Sequence, residues 1–403
     1  MIIDNSAGIF TVCNLGYLNK ALVLAQSVYK TNNLKTNIFL FDKKTSININ
    51  NDYVKIRWIE DYAPDNFLHL AFIYNVIELT TAFKPYLASI MAKEYSRVIF
   101  FDPDVMVFDK LDVVFDNLKN NDFILTPHQS NIEYDSSINL NYQRFGYFNL
   151  GFFAFNRSSI SNKILDWWWK QCEIHCFDEA HYGSFTDQKW MSLAPFYFPV
   201  IKNLNKPQLN VAWWNLKDRL ISKNPKTNKF TIDKQNIVFF HFSSFIDEKK
   251  LTKRSFEIGM NSNQILMELA SLYQDSLLEN QISLKSKTYS YDYFDNGDYI
   301  NPILRRAYAS KLNYFKDVII NPFSKPIKLT KFMNLNFLNS RSKINMSLIG
   351  HQDKKTYSKS INFYFTLLRL ILRFLGPNKF IALNRLMIYS TSFLNGKEYW
   401  KLK

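Results

Sequence analysis

The stretch SRVIFFDPDVMVF, residues 96–108, decides how this chain folds. It is typical of a buried β-strand, because two β-branched residues and two phenylalanines follow one another without polar alternation. The strand runs directly into Asp102 and Asp104. An Asp-x-Asp pair places two carboxylates on the same side of an extended chain. In open α/β sheets ligands bind beyond the carboxyl ends of strands, so we expect a functional site at this strand end.

The N-terminal segments predict the sheet that this strand joins. IFTVCN (9–14) and NIFLFD (37–42) read as short strands, and LNKALVLAQSVYKTN (18–32) between them has apolar residues at helical spacing. Strand, helix and strand in this order open a βαβ unit. Residues 76–95 predict a helix that is interrupted near Pro85. We therefore expect an α/β domain with a mostly parallel, mixed, Rossmann-like sheet.

Composition narrows the class of protein. With 47% hydrophobic and 17% aromatic residues in 403, the chain is expected to be packed and globular. Its three cysteines do not make a disulfide framework, and no second Cys/His pair accompanies Cys172 and Cys176 at zinc-finger spacing. We expect neither a secretory signal nor a transmembrane helix, because no apolar run approaches the ~18 residues that a span requires. A reducing, cytoplasmic location fits these features.

The net charge of +15 is distributed unevenly along the chain. Residues 1–280 hold 29 basic and 29 acidic residues, whereas residues 281–403 hold 21 basic and 6 acidic ones. This asymmetry predicts a division into a domain of residues 1–280 and a basic region of residues 281–403, which we expect to be mainly helical. It also indicates an anionic partner, which is a membrane surface, a lipid-linked anionic substrate or nucleic acid.

The chemistry of Asp102 and Asp104 allows two enzymatic interpretations. Carboxylate oxygens suit Mg²⁺ or Mn²⁺, and a nucleotide diphosphate would complete the coordination. Solvated loop acids are the simplest alternative, but a buried strand makes its acidic end costly without a cation. Haloacid-dehalogenase-like phosphatases also carry hydrophobics before an Asp-x-Asp, with the first Asp as nucleophile. Their motif lies on the first strand, whereas this one follows a complete βαβ unit.

Several segments in order, within residues 8–260, resemble family 8 and related retaining glycosyltransferases of the GT-A fold. At the start of the chain the resemblance implies that Thr11, Cys13, Asn14 and Tyr17 contact the nucleotide. Asn14 stands where an Asp is usual in that family. Lys84 lies near the position of the family's donor-binding arginine, although a lysine cannot make the same two-pronged planar contact.

The resemblance continues through the middle of the chain. FDPDV resembles the family's metal-binding Asp-x-Asp, which assigns the metal–diphosphate to Asp102 and Asp104. Four later motifs extend it: FNLGFFAFN, FTDQ with Asp187 and Gln188, the Asn-containing strand QLNVAWWN (208–215), and HFSSF with His241. In the first of these, we expect the apolar run to be broken at Asn149-Leu150-Gly151. In the family these supply the sugar pocket (Asn149, Gly151), a contact to donor hydroxyls (Asp187), a group under the anomeric carbon (Gln188) and a third metal ligand (His241). Ser244 replaces the family's usual glycine.

The resemblance implies a specific activity. It predicts a Mn²⁺- or Mg²⁺-dependent transfer of a hexose from a nucleotide sugar, with a UDP-sugar as the expected donor, and retention at the anomeric carbon. The closest motif likeness is to bacterial polysaccharide-locus members of the group. This points to a glycan acceptor carried on a polyprenyl lipid during surface polysaccharide assembly. A non-catalytic sugar-binding or scaffold protein of the same fold remains the alternative from a different class.

The C-terminal region contains an amphipathic helix pattern in SINFYFTLLRLILRFLGPNKF. Asn362, Thr366, Arg369 and Arg373 form a polar stripe on an otherwise apolar helix, which Gly376-Pro377 should end. Such a helix is either buried in a helical subdomain or lies in a membrane interface, and the basic neighbours favour an anionic interface. This predicts a peripheral location at the inner face of the cell membrane. Nucleic acid is not expected, because no recognition motif is present; the oligomeric state is not predicted.

Overall fold

The computed structural model describes residues 4–47, 49, 51–129, 131–216, 219–245, 264–282, 288–339, 358–391 and 396–402. The chain forms two compact units. One comprises Met1–Pro64 and Val76–Ser290, and the other comprises Asp65–Asn75 and Tyr291–Lys403. The functional division at residue 280 stays a prediction.

Strands of the first unit build its sheets. Their bounds are β1 (Asp4–Cys13), β2 (Thr36–Leu40), β3 (Val54–Trp58), β4 (Tyr95–Phe101), β5 (Val105–Val107), β6 (Phe123–Pro127), β7 (Phe148–Asn156), β8 (Asp178–Glu179), β9 (Ser184–Phe185), β10 (Ile201–Asn203), β11 (Ile221–Lys223), β12 (Phe230–Ile232), β13 (Gln235–Asn236) and β14 (Phe239–His241). Among the described residues, seven of them form one sheet in the order β10-β6-β7-β4-β1-β2-β3. Only β7 runs antiparallel to its neighbours. The predicted α/β class with a mostly parallel, mixed sheet is confirmed.

Helices accompany this sheet and form most of the second unit. Their bounds are α1 (Leu18–Asn32), α2 (Phe67–Ile73), α3 (Val76–Ala82), α4 (Lys84–Glu94), α5 (Asp112–Leu118), α6 (Ser136–Phe145), α7 (Ser159–His175), α8 (Gln188–Met191), α9 (Ala194–Tyr197), α10 (Gln264–Glu279), α11 (Pro302–Ser310), α12 (Leu312–Val318), α13 (Ile327–Leu335) and α14 (Ser358–Thr391). The predicted interruption near Pro85 is confirmed, since α3 ends at Ala82 and α4 begins at Lys84. The mainly helical C-terminal region is also confirmed.

One local prediction is wrong. The Asn149-Leu150-Gly151 segment is expected from sequence to interrupt the apolar strand, but β7 continues through all three residues. The Asn149 Oδ1 atom accepts a hydrogen bond from the Gly151 amide at 3.0 Å, which satisfies the backbone locally. The irregularity is instead a shift in the pairing of β6 with β7 between Leu125 and Pro127. The strand therefore carries the Asn-x-Gly segment at the sheet's end and does not leave it.

Aromatic packing holds the central strands together. Phe10 on β1, Phe100 on β4 and Phe153 on β7 are fully buried. The ring centroids of Phe100 lie 5.0 Å from those of both Phe10 and Phe153. Each buried phenylalanine contributes about 2–3 kcal/mol by leaving water, and the ring contacts add to it. The strand that ends at the Asp-x-Asp pair is thus a rigid base for it.

A buried arginine joins the far edge of this sheet to α4. Arg57 on β3 donates to Asn37 Oδ1 at 2.8 Å, and Asn37 donates to the Ile9 carbonyl at 3.0 Å. The Arg57 guanidinium also makes a two-pronged ion pair with Glu94, the last residue of α4. This hydrogen-bonded ion pair holds the pKa of Glu94 below its usual range. The arginine side chain is only 1% exposed, so Glu94 is the counter-ion that offsets the cost of burying its charge.

Replacing Glu94 with Gln should destabilise the protein by about 2–3 kcal/mol at neutral pH, because a buried guanidinium loses its counter-ion. The lowered pKa means that the ion pair stabilises fully above the unfolded-state pKa of about 4.3 and is lost as the pH falls through the folded-state value. Urea unfolding of wild type and variant should show the difference shrinking below about pH 4. Asp116→Asn, which removes an exposed partner of Lys119, is the control and should change stability by under about 0.5 kcal/mol. A pH-independent difference for Glu94→Gln would contradict the ion-pair account.

The second unit is organised around a buried arginine of its own. Arg305 on α11 donates to the carbonyls of Ala71, Phe72 and Tyr74, each at 2.9 Å. These hydrogen bonds satisfy the carboxyl end of α2, so they explain why residues 65–75 belong to this unit. None of the helices in the described part of the chain has the length and apolar character needed to cross a membrane.

Candidate metal centre

Two strands bring three potential ligands together at the end of the sheet. Asp102 follows β4, and a tight turn with a Val105 amide to Asp102 carbonyl bond of 3.1 Å leads through Asp104 into β5. β14 pairs antiparallel with β5, and its register sets His241 opposite Val105. The Phe242 amide donates to the Asp104 carbonyl at 2.8 Å. Residues more than a hundred positions apart are thereby placed side by side.

The side chains of Asp102, Asp104 and His241 form a compact donor set. Each offers one ligand atom, and these atoms lie within 4.8 Å of one another. His241 Nε2 lies 3.1 Å from Asp104 Oδ1 and 3.8 Å from Asp102 Oδ2. The Asp104 and His241 side chains are almost fully buried, whereas that of Asp102 is 25% exposed. The group could hold a metal ion that is reached from the Asp102 side.

The chemistry of these donors fits a divalent cation. Two carboxylates suit Mg²⁺ or Mn²⁺, and the imidazole adds a nitrogen ligand. Adjacent ligands of an octahedral ion at ~2.1 Å are roughly 3 Å apart, which the His241–Asp104 separation matches. We find that the residues present fit the ion that the sequence motifs imply.

Burial and charge act against each other in this donor set. Burial alone raises the pKa of Asp104, but the neighbouring His241 outweighs it, and the net pKa is lowered. Burial likewise lowers the pKa of His241, but the Asp104 and Asp102 carboxylates together outweigh it, and the net pKa is raised. The two groups therefore stabilise each other's charged form, as expected for a pair held in a low-dielectric site.

Lys84 joins the metal centre to a second buried carboxylate. Its Nζ lies 3.1 Å from Asp102 Oδ1 and 3.5 Å from Asp187 Oδ2, and it donates to the Leu150 carbonyl at 3.0 Å. Burial lowers the pKa of Lys84, but the two aspartates outweigh it and the net pKa is raised. Burial raises the pKa of Asp187 to about 6 despite the ammonium beside it. Lys84 is thus a fixed positive charge between two carboxylates.

Asp187 is held in place by an unusual backbone turn. The preceding residue, Thr186, has a φ of 44°, which is rare for a β-branched side chain. The Trp168 indole on α7 donates a hydrogen bond to the Asp187 carbonyl at 3.2 Å and thereby holds the turn against α7. Strain of this kind costs about 1–3 kcal/mol and persists where surrounding structure demands it. The turn directs the Asp187 carboxylate toward Lys84.

Gln188 uses its side-chain amide within the protein. Its Oε1 accepts from the Leu150 amide at 3.1 Å, and its Nε2 donates to the Phe145 carbonyl at 2.9 Å. These two hydrogen bonds hold in place the start of β7, which carries Asn149 and Gly151. The predicted catalytic role of Gln188 stays a prediction; the contacts observed are those of a residue that positions this segment.

The predicted nucleotide contacts lie at the end of β1. Thr11 and Cys13 have buried side chains, whereas Asn14 is partly exposed and Tyr17 is exposed. The partial burial of its ring, and then the Asp104 charge, raise the pKa of Tyr17, and Lys20 Nζ lies over this ring at 4.4 Å from its centroid. In this arrangement only Asn14 and Tyr17 present side-chain surface to a ligand.

A buried acid at the end of β2 was missed from sequence. Asp42 accepts from the Leu15 amide at 2.7 Å and from the Ser290 amide and hydroxyl, both at 2.8 Å. It secures the turn after β1, next to the predicted nucleotide contacts. Its position directly after the strand NIFLF was the signal available in the sequence.

Three further residues beside the metal centre were also missed as site residues. His128 Nε2 lies 3.2 Å from Asn149 Nδ2, and Asn210 donates to Asn149 Oδ1 at 2.9 Å. The Trp214 ring packs edge-on against the His241 ring with centroids 5.4 Å apart. Burial lowers the pKa of His128 to about 4, so it is neutral at physiological pH. Asn210 and Trp214 belong to the QLNVAWWN motif, whereas only its place after strand β6 marked His128.

Gly151 is required for the approach of His241. A Cβ atom at this position would lie 2.4 Å from His241 Cε1 and 2.8 Å from Asn149 Oδ1. Gly151→Ala should displace the imidazole and weaken Mn²⁺ binding at least tenfold, roughly the effect of losing a ligand's support. Titration followed by electron paramagnetic resonance of free Mn²⁺ measures this.

Gly8→Ala is the matched control for that substitution. Its Cβ would lie 2.4 Å from Tyr95 Cδ2, an equal clash in the same sheet away from the ligands. We expect lower stability and unchanged Mn²⁺ affinity. Equal losses of Mn²⁺ affinity in both variants would contradict the role of Gly151.

Comparisons with known proteins give distant similarities. No protein-family profile matches the chain. The uncharacterized protein YfnF of Bacillus subtilis (strain 168) is 24% identical over 196 residues, which are 46% of this chain and 60% of that protein. This chain thus spans less than two thirds of that relative's length.

Solved structures of glycosyltransferases are similar at low TM-scores. The bifunctional enzyme WbbM in its apo form is 13% identical with a TM-score of 0.42, covering 70% of this chain and 53% of that one. The galactosyltransferase LgtC with donor and acceptor sugar analogs is 14% identical with a TM-score of 0.39, covering 64% and 98%. Mouse xyloside xylosyltransferase 1 is 14% identical with a TM-score of 0.36, covering 59% and 98%. At these TM-scores, none of the similarities defines what this chain does.

Proposed function

We propose that this chain is a metal-dependent glycosyltransferase of the GT-A type that transfers a hexose from a nucleotide sugar to a glycan. The observation that carries the proposal is the joint placement of Asp102, Asp104 and His241 at the carboxyl end of a mostly parallel sheet. A ligand-binding site is expected there in open α/β folds. The ordered motifs around residues 149, 187 and 210 support the same reading.

Asp102, Asp104 and His241 would hold Mn²⁺ or Mg²⁺. When bound, the ion would neutralise charge on the diphosphate of the donor as it departs. The side chain of Asp102 is the one exposed enough to share the ion with a ligand, while the buried Asp104 and His241 fix its position. This division of roles suits an ion that arrives with, or is completed by, a nucleotide diphosphate.

The residues beside the metal centre would orient the sugar. Lys84 lies between Asp102 and Asp187 and would hold both carboxylates in position. Asp187 would accept hydrogen bonds from donor hydroxyls, because the Lys84 ammonium contacts its Oδ2 only at 3.5 Å and leaves this oxygen able to accept a shorter hydrogen bond. Gln188 holds Asn149 and Gly151 at the edge of the sugar position. The nucleotide would lie against Asn14 and Tyr17, with a UDP-sugar as the expected donor.

We propose retention of configuration by front-face displacement. The bond from the anomeric carbon to the phosphate oxygen breaks as the acceptor oxygen attacks the same face. The acceptor proton passes to the departing phosphate oxygen. Asp187, a carboxylate placed near the sugar position, is already engaged by Lys84, which makes it a poor nucleophile.

Removing either metal-binding carboxylate should abolish turnover. Asp102→Asn and Asp104→Asn are each expected to lower Mn²⁺-dependent release of nucleotide from the donor by at least about a hundredfold, since one charged ligand is lost. Donor screening with UDP-, GDP-, dTDP- and CDP-sugars identifies the substrate in which this is measured. Asp116→Asn, a surface acid, should retain full activity. Activity of either variant that survives chelation would refute the site.

Stereochemistry gives an independent check of the mechanism. We expect the anomeric configuration of the product linkage, determined by nuclear magnetic resonance, to match that of the donor. An inverted linkage would exclude front-face displacement while leaving the metal site in place.

We further propose a polyprenyl-linked glycan as acceptor, in surface polysaccharide synthesis at the inner face of the cell membrane. The charge excess of the C-terminal third supports a membrane-proximal, anionic acceptor. No contact among the described residues supports the phosphatase alternative. Asp104, which would be the general acid/base of a phosphatase, faces His241, and the motif follows β4, which is not the first strand. A donor screen without any nucleotide release, acceptor included, would favour the non-catalytic sugar-binding alternative.

A further inference from the structure

Helix α14 exposes its apolar side chains to an unusual degree. None of the side chains described between Phe363 and Met387 is buried. The most exposed apolar ones are Phe363 at 73% and Phe374 at 85%. Isolated exposed leucines are common in soluble proteins, but a continuous apolar helix surface marks an interaction site. Packing within a helical subdomain, the alternative considered from sequence, does not account for this exposure.

The exposed apolar residues are arranged on a helix face. Phe363, Leu367, Leu370 and Phe374 follow one another at intervals of four, three and four residues and lie on one side of the helix. Arg369 and Arg373 form a narrow stripe at the flank of this face. Long basic side chains at the border of an apolar face can reach outward to phosphate groups while their stems stay in an apolar layer.

The helix carries positive charge without any negative charge. Its 34 residues include five basic side chains and no Asp or Glu. The five are Lys359, Arg369, Arg373, Lys379 and Arg385. A surface that is both apolar and uniformly cationic is complementary to an anionic lipid leaflet, where each basic residue contributes about 1 kcal/mol.

A kink divides the helix into two segments. Gly376 has a φ of 71° and a ψ of 164°, and Pro377 begins the second segment. The predicted end at Gly376-Pro377 is thus confirmed, and the chain resumes as a helix afterwards. Proline is favoured at the first position of a helix, and its missing amide hydrogen and its steric effect on the preceding residue disfavour an unbroken helix through this point. Each segment carries basic side chains along an otherwise apolar surface, which suits a position within the membrane plane.

We propose that α14 docks in the plane of an anionic bilayer. Its face of Phe363, Leu367, Leu370 and Phe374 would enter the acyl boundary, and Arg369 and Arg373 would bind lipid phosphates. A second copy of the chain is less suited to this surface. In a two-fold pairing of the helices, the basic stripes would face a partner with no acidic residue to offer. The proposal does not depend on the transfer activity.

Flotation of the full-length protein with vesicles tests the docking. One set of vesicles contains phosphatidylcholine alone, and the other contains equal amounts of phosphatidylcholine and phosphatidylglycerol. We expect binding to the anionic vesicles only. Arg369→Gln combined with Arg373→Gln should weaken it roughly thirtyfold, from about 1 kcal/mol for each residue. Arg369→Lys with Arg373→Lys is the matched control and should bind like wild type.

The apolar contribution is tested at the most exposed ring. Phe374→Ser should weaken binding at least about tenfold, whereas Phe374→Leu should lose little, because burial of apolar area drives insertion. Since the side chain is exposed, both variants should unfold at the wild-type temperature. Equal binding to both vesicle types, or wild-type binding by Phe374→Ser or by the double Gln variant, would overturn the proposal. The proposal would also be overturned if the protein did not bind vesicles and instead formed lipid-free dimers that Phe374→Ser dissociates.

Discussion

Three carboxylates of like charge lie close together at the end of this sheet, and two of them are almost completely withdrawn from water. Burying such a group without a counter-ion costs several kcal/mol, so the surrounding structure has to supply positive charge in fixed positions. Lys84 supplies it between Asp102 and Asp187, and His241 lies 3.1 Å from Asp104 as its polar partner. Much of the architecture around the site can be understood as the means of holding these two side chains in place.

The means are largely backbone features. Gly151 leaves room for the His241 ring, and the Leu150 carbonyl accepts a hydrogen bond from Lys84. Both contacts require β7 to pass the site in one particular position. Gln188 fixes that position by accepting a hydrogen bond from the Leu150 amide of β7. The strained turn at Thr186 directs the Asp187 carboxylate toward the Lys84 ammonium. A local strain of about 1–3 kcal/mol is tolerated because the ion pairs and hydrogen bonds around it depend on the same geometry.

The remaining asymmetry of the molecule is electrostatic. The first 280 residues carry no net charge, and the acidic site is balanced within them, so a donor diphosphate would need a cation to bind there. The basic excess lies in the other part of the chain, where α14 combines it with exposed aromatic and aliphatic side chains. On the two proposals above, one protein would present two surfaces suited to phosphate groups: a metal-assisted one for a soluble nucleotide and a cationic, apolar one for a lipid layer.

The sequence by itself determined the α/β class, the Asp102–Asp104 pair, the helix at 18–32 and the interruption near Pro85, because hydrophobic periodicity, proline and strand-end acids are local signals. It also assembled His241 and Asp187 by resemblance. Only the tertiary structure decided that β7 continues through Asn149, that Gln188 is bound to backbone on both sides, and that His128 lies beside the site. Those features arise from hydrogen bonds and burial between residues distant in the chain. Such contacts leave no periodic trace in the sequence, since any side chain of suitable polarity could have made them.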